Sequence, residues 1–238
     1  MEHPVTWTGL LGIPHGDWEY FAIAMLVMGI LLILGLRARS ALRQDAAVVP
    51  DEKLTARNVF ELLVEAINGL TENVIGHGSA HYVPLLATFF IFILFSNLMG
   101  LLPGFTPPTS DFDITLALGV VSFLAFNYYG FKVQGVAYLK HFMGPIMWLA
   151  PLMIVLELVG TLVRPVSLGL RLFGNLFGDH LVLEIFTGLT KVGVPVVFYM
   201  LGTLVSVIQA FVFTLLSMIY IALAVAHHDE EHAEHAHH

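Results

Sequence analysis

Apolar residues along the chain fall into long runs, which is the pattern of helices that cross a membrane. Residues 20–36 carry no charged side chain, and residues 83–102 and 114–131 form two further runs of similar length. A helix needs about 20 apolar residues to cross the hydrocarbon core of a bilayer. Breaks such as Pro103 and Gly104 separate the runs. The pattern therefore predicts three membrane spans before residue 132.

The last third of the chain holds two apolar segments that are too long for upright spans. A helix over residues 195–226 would exceed about 45 Å, whereas the hydrocarbon core is about 30 Å thick. Residues 145–189 would form a longer helix still. We predict two long, strongly tilted helices that form a hairpin, with breaks inside the segments as the alternative. Pro151 and Pro165 are expected to kink the first of them.

Residues 55–75 differ from the spans because their apolar positions recur every third or fourth residue. Glu61, Glu65, Asn68 and Glu72 lie largely away from these positions, and Thr55 stands where a helix N-cap is expected. The pattern predicts an amphipathic helix that lies along the cytoplasmic membrane interface. A helix that binds a partner protein is the alternative.

The segments together predict an all-α polytopic membrane protein with about five to six membrane helices, including the long tilted C-terminal helical hairpin. The last segment, residues 227–238, is rich in histidine and too polar to pack, so we expect disorder. A solvated tail is favoured over weak metal chelation. The predicted single domain, 1–238, comprises an outside segment 1–19, a span 20–36, the interfacial helix 55–75, spans 83–102 and 114–131, the hairpin 145–189 and 195–226, and the tail 227–238.

Basic residues follow the first and third spans, and they predict the orientation of the chain. Arg37, Arg39 and Arg43 follow the first span, and Lys132 and Lys140 follow the third. Basic loops stay in the cytoplasm. The N-terminus is therefore expected outside and the C-terminus in the cytoplasm. The first residues contain no cleavable signal peptide pattern, and a bacterial plasma (inner) membrane is favoured over an organelle.

The composition agrees with a membrane protein and excludes several kinds of chemistry. Hydrophobic residues make up 57% of the chain and charged residues 12%, whereas a soluble domain has about 25% charged residues. Much of the acidic excess, a net charge of −8, lies in the tail. There is no cysteine and no GxxxxGK[ST] phosphate loop. We expect no cofactor, no metal site and no nucleic-acid partner.

Charged and amide side chains interrupt the apolar pattern between residues 157 and 180. At about 100° per residue, the members of this stripe fall within about 40° of one line along a helix. A charge in a membrane helix costs about 3 kcal/mol on insertion scales, so the stripe must meet water, an acid or a partner protein. Its members are Glu157, Arg164, Arg171, Asn175 and Asp179.

The two arginines of the stripe receive different interpretations, although neither can escape its charge by losing a proton. Snorkelling to the interface, or pairing with Glu157, accounts for Arg164. Arg171 is surrounded by small residues that let another helix approach closely; they are Gly169, Gly174 and Gly178. On the last apolar segment, Gln209 is open to two interpretations, helix–helix hydrogen bonding and a place on an ion path.

Three motifs resemble those of a known family. PVSLGLRLFGN at residues 165–175 is similar to the signature of the a subunit of the F-type ATP synthase membrane sector. FIFILFSNLMGLLPGFTPPT at 90–109 and IQAFVFTLLSMIYI at 208–221 resemble an earlier span and the last helix of the same family, in the same order. The resemblance covers nearly the whole chain from the second span onward. It implies a tilted hairpin packed against a rotating ring of c subunits.

The resemblance also implies roles for individual residues in ion translocation. Arg171 is the motif arginine that faces the ion-carrying carboxylate of the ring. Asn175 and Gln209 match positions that line the ion path, and Glu157 matches an acid of the same helix. His180 stands where the family often has glutamate or histidine.

One position departs from the family pattern. Some relatives have an ionisable residue at the place aligned with Gly202, and this chain has none there, which leaves the residues of its proton relay open. Asp179 and Glu184 are the candidates to substitute for it.

The function implied by the resemblance is that of an ion-translocating stator subunit. It would provide two half-channels and an essential arginine, coupling the flow of H⁺ or Na⁺ to ring rotation and ATP synthesis. The expected partners are the c-subunit ring, the b subunits of the peripheral stalk, the rest of the complex and membrane lipid. The subunit itself would not be catalytic. A stand-alone secondary transporter or channel is the alternative, and a structural scaffold would leave Arg171 unexplained.

Overall fold

A computed structural model describes residues 17–42, 56–76, 78–102, 105–135, 138, 150–189 and 194–225. No β-strand occurs within these ranges, so the predicted all-α fold is confirmed. The predicted histidine-rich tail and the N-cap Thr55 lie outside the described residues, and Glu184 and His180 are described only as backbone. The helices are α1 (Asp17–Leu42), α2 (Ala56–Ile75), α3 (Val83–Met99), α4 (Phe112–Gln134), α5 (Ala150–Leu189) and α6 (Val194–Val225), with 3₁₀ turns at Ser79–His81 and Pro108–Ser110.

The best-defined helix boundaries are those of α4. Asp111 is its N-cap, and the side chain accepts hydrogen bonds from the backbone N–H groups of Asp113, at 2.9 Å, and Ile114, at 3.2 Å. Such a cap satisfies two of the donors that a helix N-terminus leaves free. The helix ends before Gly135, whose φ of 56° favours glycine. Local chemistry thus fixes both ends of α4.

Helices of membrane-spanning length make up most of the described chain. Trp18–Arg37, Phe112–Gln134, Pro151–Leu183 and Val196–Val225 are long and apolar enough to cross a membrane, and α3 is a shorter apolar helix. With 40 residues in α5 and 32 in α6, the two helices exceed the length that an upright span requires. They contact each other and form the predicted C-terminal hairpin. The chain is a multi-pass α-helical membrane protein.

Two apolar clusters join the six helices. The first brings together α1, α3, α5 and α6, and the second joins α2, α3, α4 and α6. Leu172, Ala210 and Phe213 have no exposed surface in the first cluster. Many apolar side chains elsewhere on α1 and α5 are exposed, as expected of surfaces that face lipid. The interfacial position of α2 stays a prediction.

Helices α4 and α5 approach each other closely where they cross. A Cβ atom placed on Gly119 would fall inside van der Waals contact with the carbonyl oxygen of Pro165. One placed on Gly169 would lie 3.0 Å from the carbonyl oxygen of Thr115. Pro165 stands inside α5 and cannot donate a hydrogen bond to the preceding turn. Glycine at these two positions lets the backbones meet, so the site-bearing helix α5 is fixed against α4.

We predict that Gly119→Ala destabilises the subunit. Helix propensity alone favours alanine by about 1 kcal/mol, but overpacking against a backbone carbonyl costs about 1–3 kcal/mol. The thermal unfolding midpoint of the detergent-solubilised protein should therefore fall. Gly35→Ala on α1 is the matched control, because a Cβ there meets nothing within 4 Å. An equal or higher midpoint for Gly119→Ala would contradict the packing of this crossing.

Candidate ion-translocation site

Arg171 lies on α5 and is exposed on the surface of the chain. None of the described residues pairs with or hydrogen-bonds to its guanidinium. Gly174 and Gly178, on the same face, would accept a Cβ without meeting any atom within 4 Å. Of the three glycines around Arg171, only Gly169 is therefore used for packing inside the chain. The other two leave a shallow surface next to a permanent positive charge.

A hydrogen bond between α5 and α6 lies one helical turn from Arg171. The Nδ2 of Asn175 donates to the Oε1 of Gln209 over 2.6 Å. Gln209 is only 2% exposed, and its Nε2 finds no acceptor among the described residues. Because buried donors are normally satisfied, this amide N–H is a place where an internal water would bind. The structure thus brings together two of the predicted path residues beside the arginine.

A cavity of about 280 Å³ lies between α3, α5 and α6. Asp179 and Gly202 both line it, so the acid on α5 faces the same space as the glycine on α6. The Oδ2 of Asp179 is buried and has no hydrogen-bond partner among the described residues. Asn97 and Ser206 add polar groups to an otherwise apolar wall. A cavity with several polar groups is suited to hold water.

Further polar contacts extend from this cavity toward α1. Asn97 donates to the carbonyl oxygen of Ser206 at 3.3 Å and accepts from the hydroxyl of Thr109 at 2.7 Å. Nearby in the loop between α3 and α4, Thr106 donates to the carboxylate of Glu19 at 3.3 Å. Glu19 is only 5% exposed, which is unusual for an acid. Polar contacts thus run from Glu19 on α1, through the loop that holds Thr106 and Thr109, to Asn97 in the wall of the cavity.

Asn97 and Glu19 were not among the site residues predicted from the sequence. Asn97 was visible as an amide inside an apolar span, which is a signal in its own right. Glu19 stands at the edge of the first apolar run, where an acid is ordinarily at the interface. Its burial depends on a loop 87 residues away in the sequence, so no local pattern reveals it.

Glu157 lies on the opposite side of Arg171 along α5. It is 14 residues before Arg171, or about 21 Å, whereas Asp179 is 8 residues after it, or about 12 Å. The Oε1 of Glu157 is 3.9 Å from the Nη2 of Arg164. The guanidinium of Arg164 lies over the rings of Phe126 and Tyr220. Glu157 therefore pairs with Arg164 and not with Arg171. The predicted stripe is therefore divided into a Glu157–Arg164 pair, an exposed Arg171, and the Asn175 and Asp179 side.

No cluster of three or more histidine, cysteine, aspartate or glutamate side chains suited to a metal occurs in the part of the chain that the structure describes. The histidines of the tail lie outside it. The polar side chains that flank Arg171 along α5 and on the facing helices are amides, hydroxyls and carboxylates. These groups exchange protons with water or hold it by hydrogen bonds.

The fold and the site together define a multi-pass membrane protein with a set of charged and polar side chains on its helical hairpin. The sequence profile of the family described as ATP synthase A chain matches residues 21–222. The ATP synthase subunit a of Bdellovibrio bacteriovorus is 49% identical over 226 residues, which are 93% of this chain and 97% of that protein.

Two other relatives agree. The ATP synthase subunit a of Geobacter sulfurreducens is 46% identical over 211 residues, 89% of each chain. ATP synthase subunit a 2 of Syntrophotalea carbinolica is 44% identical over 211 residues, 89% of this chain and 87% of that one. The chain belongs to the ATP synthase subunit a family, and the resemblance seen in its motifs is confirmed.

We predict that Asn175 and Gln209 are energetically coupled. A double-mutant cycle of Asn175→Ala and Gln209→Ala should give a coupling of about 0.6–1.7 kcal/mol in the free energy of unfolding, the range for hydrogen bonds between membrane helices. Thr203 bonds only to its own helix, at the carbonyl of Tyr199. Asn175→Ala combined with Thr203→Ala should therefore be additive. Additivity of the Asn175 and Gln209 changes would argue against the hydrogen bond.

Proposed function

We propose that this chain is the ion-translocating stator subunit of an ATP synthase, in which Arg171 separates two aqueous half-channels and meets the carboxylates of a c-subunit ring. The single observation that carries the proposal is an exposed arginine between two acids on one helix, without a partner among the described residues. Belonging to the subunit a family supports it. The rest of the synthase complex is the partner assembly.

The face of α5 around Arg171 suits a ring helix. Small residues lie along it on both sides of the arginine, and they let a second helix approach closely. A carboxylate on that second helix would supply the negative charge that Arg171 lacks within its own chain. These small residues are Gly160, Ser167, Gly174 and Gly178.

The arginine performs two tasks in this mechanism. A ring carboxylate can travel through lipid only when it is neutral, because a bare charge in hydrocarbon is costly. Next to Arg171 the ionised form is stabilised by charge pairing in a low dielectric. The same fixed charge repels cations, so that ions do not pass directly between the half-channels. The ion is H⁺ or Na⁺, and moving one charge yields about 2.3 kcal/mol per 100 mV.

The first half-channel is assigned to the cavity at Asp179. Asn97, Ser206 and the buried carboxylate oxygen of Asp179 support this assignment, because they give the cavity polar groups that could hold water. Where some relatives have an ionisable residue, Gly202 provides only space, and Asp179 supplies the carboxylate from the facing helix. Asn175 and Gln209 lie between this cavity and Arg171. His180 follows Asp179 and is proposed as a further relay residue. By the positive-inside orientation this side opens to the outside.

The second half-channel is assigned to the Glu157 side of Arg171. This end of α5 lies with the C-terminal ends of α4 and α6, which are joined by a hydrogen bond of 2.9 Å from Gln134 to the carbonyl oxygen of Ala224. Lys132 is on the same end, and basic residues stay in the cytoplasm. Glu157 would therefore exchange protons with the cytoplasm.

The remaining assignments follow from this role. The subunit makes no covalent bonds, and ATP chemistry belongs to other subunits. The b subunits of the peripheral stalk hold it still while the ring turns. We place it in a bacterial plasma (inner) membrane with the N-terminus outside and the C-terminus in the cytoplasm. A chain that transported ions alone in liposomes would overturn the proposal in favour of a secondary transporter.

Arg171→Ala should abolish ATP-driven ion pumping in membrane vesicles while the subunit remains inserted and assembled. Passive ion leak should rise, because the barrier between the half-channels is gone. Arg171→Lys should also fail largely, since an ammonium is a more strongly hydrated point charge without the planar fork. Pumping is followed with a pH-sensitive dye and assembly by immunoblot.

The control for this experiment is Arg37→Ala, which removes an arginine from the cytoplasmic end of α1. It should pump normally. Near-normal pumping by Arg171→Ala would eliminate the mechanism.

Moving the carboxylate across the cavity tests the role of Asp179. Asp179→Gly should lower pumping by about a hundredfold, the scale of losing a proton-transfer group. The double variant Asp179→Gly/Gly202→Asp should recover part of the loss, because both positions line one cavity. The control Asp179→Gly/Gly188→Asp places the acid at a position outside the cavity lining and should recover nothing. Equal behaviour of the two double variants would refute the assignment of the cavity.

A further inference from the structure

Arg164 on α5 contacts residues of α4, of α6 and of its own helix. Its guanidinium carbon is 6.0 Å from the ring centroid of Phe126 on α4 and 5.5 Å from that of Tyr220 on α6. On its own helix, Nη2 is 3.9 Å from the Oε1 of Glu157. Both distances to the rings are within the range of a cation–π interaction. A snorkelling arginine would extend its head into water, whereas this one is held between two aromatic side chains.

The backbone at the α4–α5 crossing explains why Arg164 reaches these rings. Gly119 lets the carbonyl of Pro165 touch α4, and Pro165 is the next residue after Arg164. Phe126 lies two turns from Gly119 on the same face of α4. Side chains on a helix lean toward its N-terminus, which directs Arg164 along α4 to Phe126. The same lean carries it toward Glu157, two turns earlier on α5.

The charges of Arg164 and Glu157 both act on the pKa of Tyr138. Burial raises the pKa of the Tyr138 phenol, the positive charge of Arg164 opposes that rise, and the negative charge of Glu157 adds to it. The phenol donates a hydrogen bond of 3.0 Å to the Oδ1 of Asn127 on α4. Arg164, Glu157 and Tyr138 therefore form one electrostatic cluster at this end of the protein.

We propose that Arg164 is a positioning residue of the ion path: clamped by Phe126 and Tyr220, it holds the carboxylate of Glu157 in place on the half-channel opposite Asp179. The proposal rests on the function proposed for Glu157. Arg164 itself does not contact the ion. Its guanidinium suits this task, because it is always charged, weakly hydrated and able to stack on aromatic faces.

The consequence is a specific dependence between two residues. Without Arg164 the carboxylate of Glu157 remains but is free to leave its position, so proton exchange slows. Without Glu157 the arginine has nothing to hold, and its removal should then matter little. A purely structural clamp behaves differently, because its loss would weaken the α4–α5–α6 packing whether or not Glu157 is present.

The test is a double-mutant cycle in the whole synthase in inverted membrane vesicles, with ATP-driven pumping as the readout. Arg164→Gln should lower the pumping rate about five- to tenfold in the wild-type background and hardly further in Glu157→Gln, a coupling of ordinary size for contacting residues. Arg164→Lys should recover part of the rate. Arg37→Gln, which removes an arginine at the cytoplasmic end of α1, is the control and should have no effect.

The other outcomes each overturn the positioning role. An equal loss from Arg164→Gln in both backgrounds, with less assembled subunit on immunoblots, would make the clamp structural only. Normal pumping by Arg164→Gln would return Arg164 to a snorkelling residue. Normal pumping by Glu157→Gln would show that there is no carboxylate to position. The Arg171→Ala variant is measured alongside: if it pumps, the proposed function fails independently of Arg164.

Discussion

The cost of placing a polar or charged group in hydrocarbon without a partner is the constraint on which this structure depends. It inverts the usual distribution of side chains. Asn97, Ser206 and Gln209 are almost inaccessible, while large apolar side chains cover the outer surfaces of α1 and α5. Thr71 illustrates the local solution, since its hydroxyl donates to the carbonyl of Ile67 one turn earlier, at 2.6 Å. Bonds of this kind satisfy polar groups inside the bundle, whereas the Nε2 of Gln209 and the Oδ2 of Asp179 keep no partner among the described residues.

Arg171 is the exception, and the proposed function rests on it. It is permanently charged and exposed on α5, and no residue of the described chain pairs with it. Arg164, by contrast, is stabilised within its own chain, because an acid and two aromatic rings contact its guanidinium. The contrast between two arginines on one helix, seven residues apart in the sequence, supports the view that the partner of Arg171 belongs to another chain.

Local pattern predicted the helices well and tertiary contacts poorly. The apolar runs indicated the membrane helices, since hydrophobic length is a property of the sequence itself. The sequence did not reveal which glycines pack against another helix: Gly169 packs against Thr115, whereas Gly174 faces open space. It also did not reveal the contact between Asn97 and Ser206, which are 109 residues apart. The Asn175–Gln209 pair could be anticipated only because both matched family positions, since neither residue alone specifies a partner.

The two acids beside Arg171 differ in surroundings more than in kind. Asp179 faces a cavity, has an oxygen without a partner among the described residues, and is flanked by neutral amides and hydroxyls. Glu157 is held by a fixed cation. On the proposed mechanism, Asp179 exchanges protons through the cavity that it lines, whereas Glu157 does so beside the guanidinium of Arg164. On this proposal the two half-channels differ, because their acids have unlike surroundings on opposite sides of one arginine.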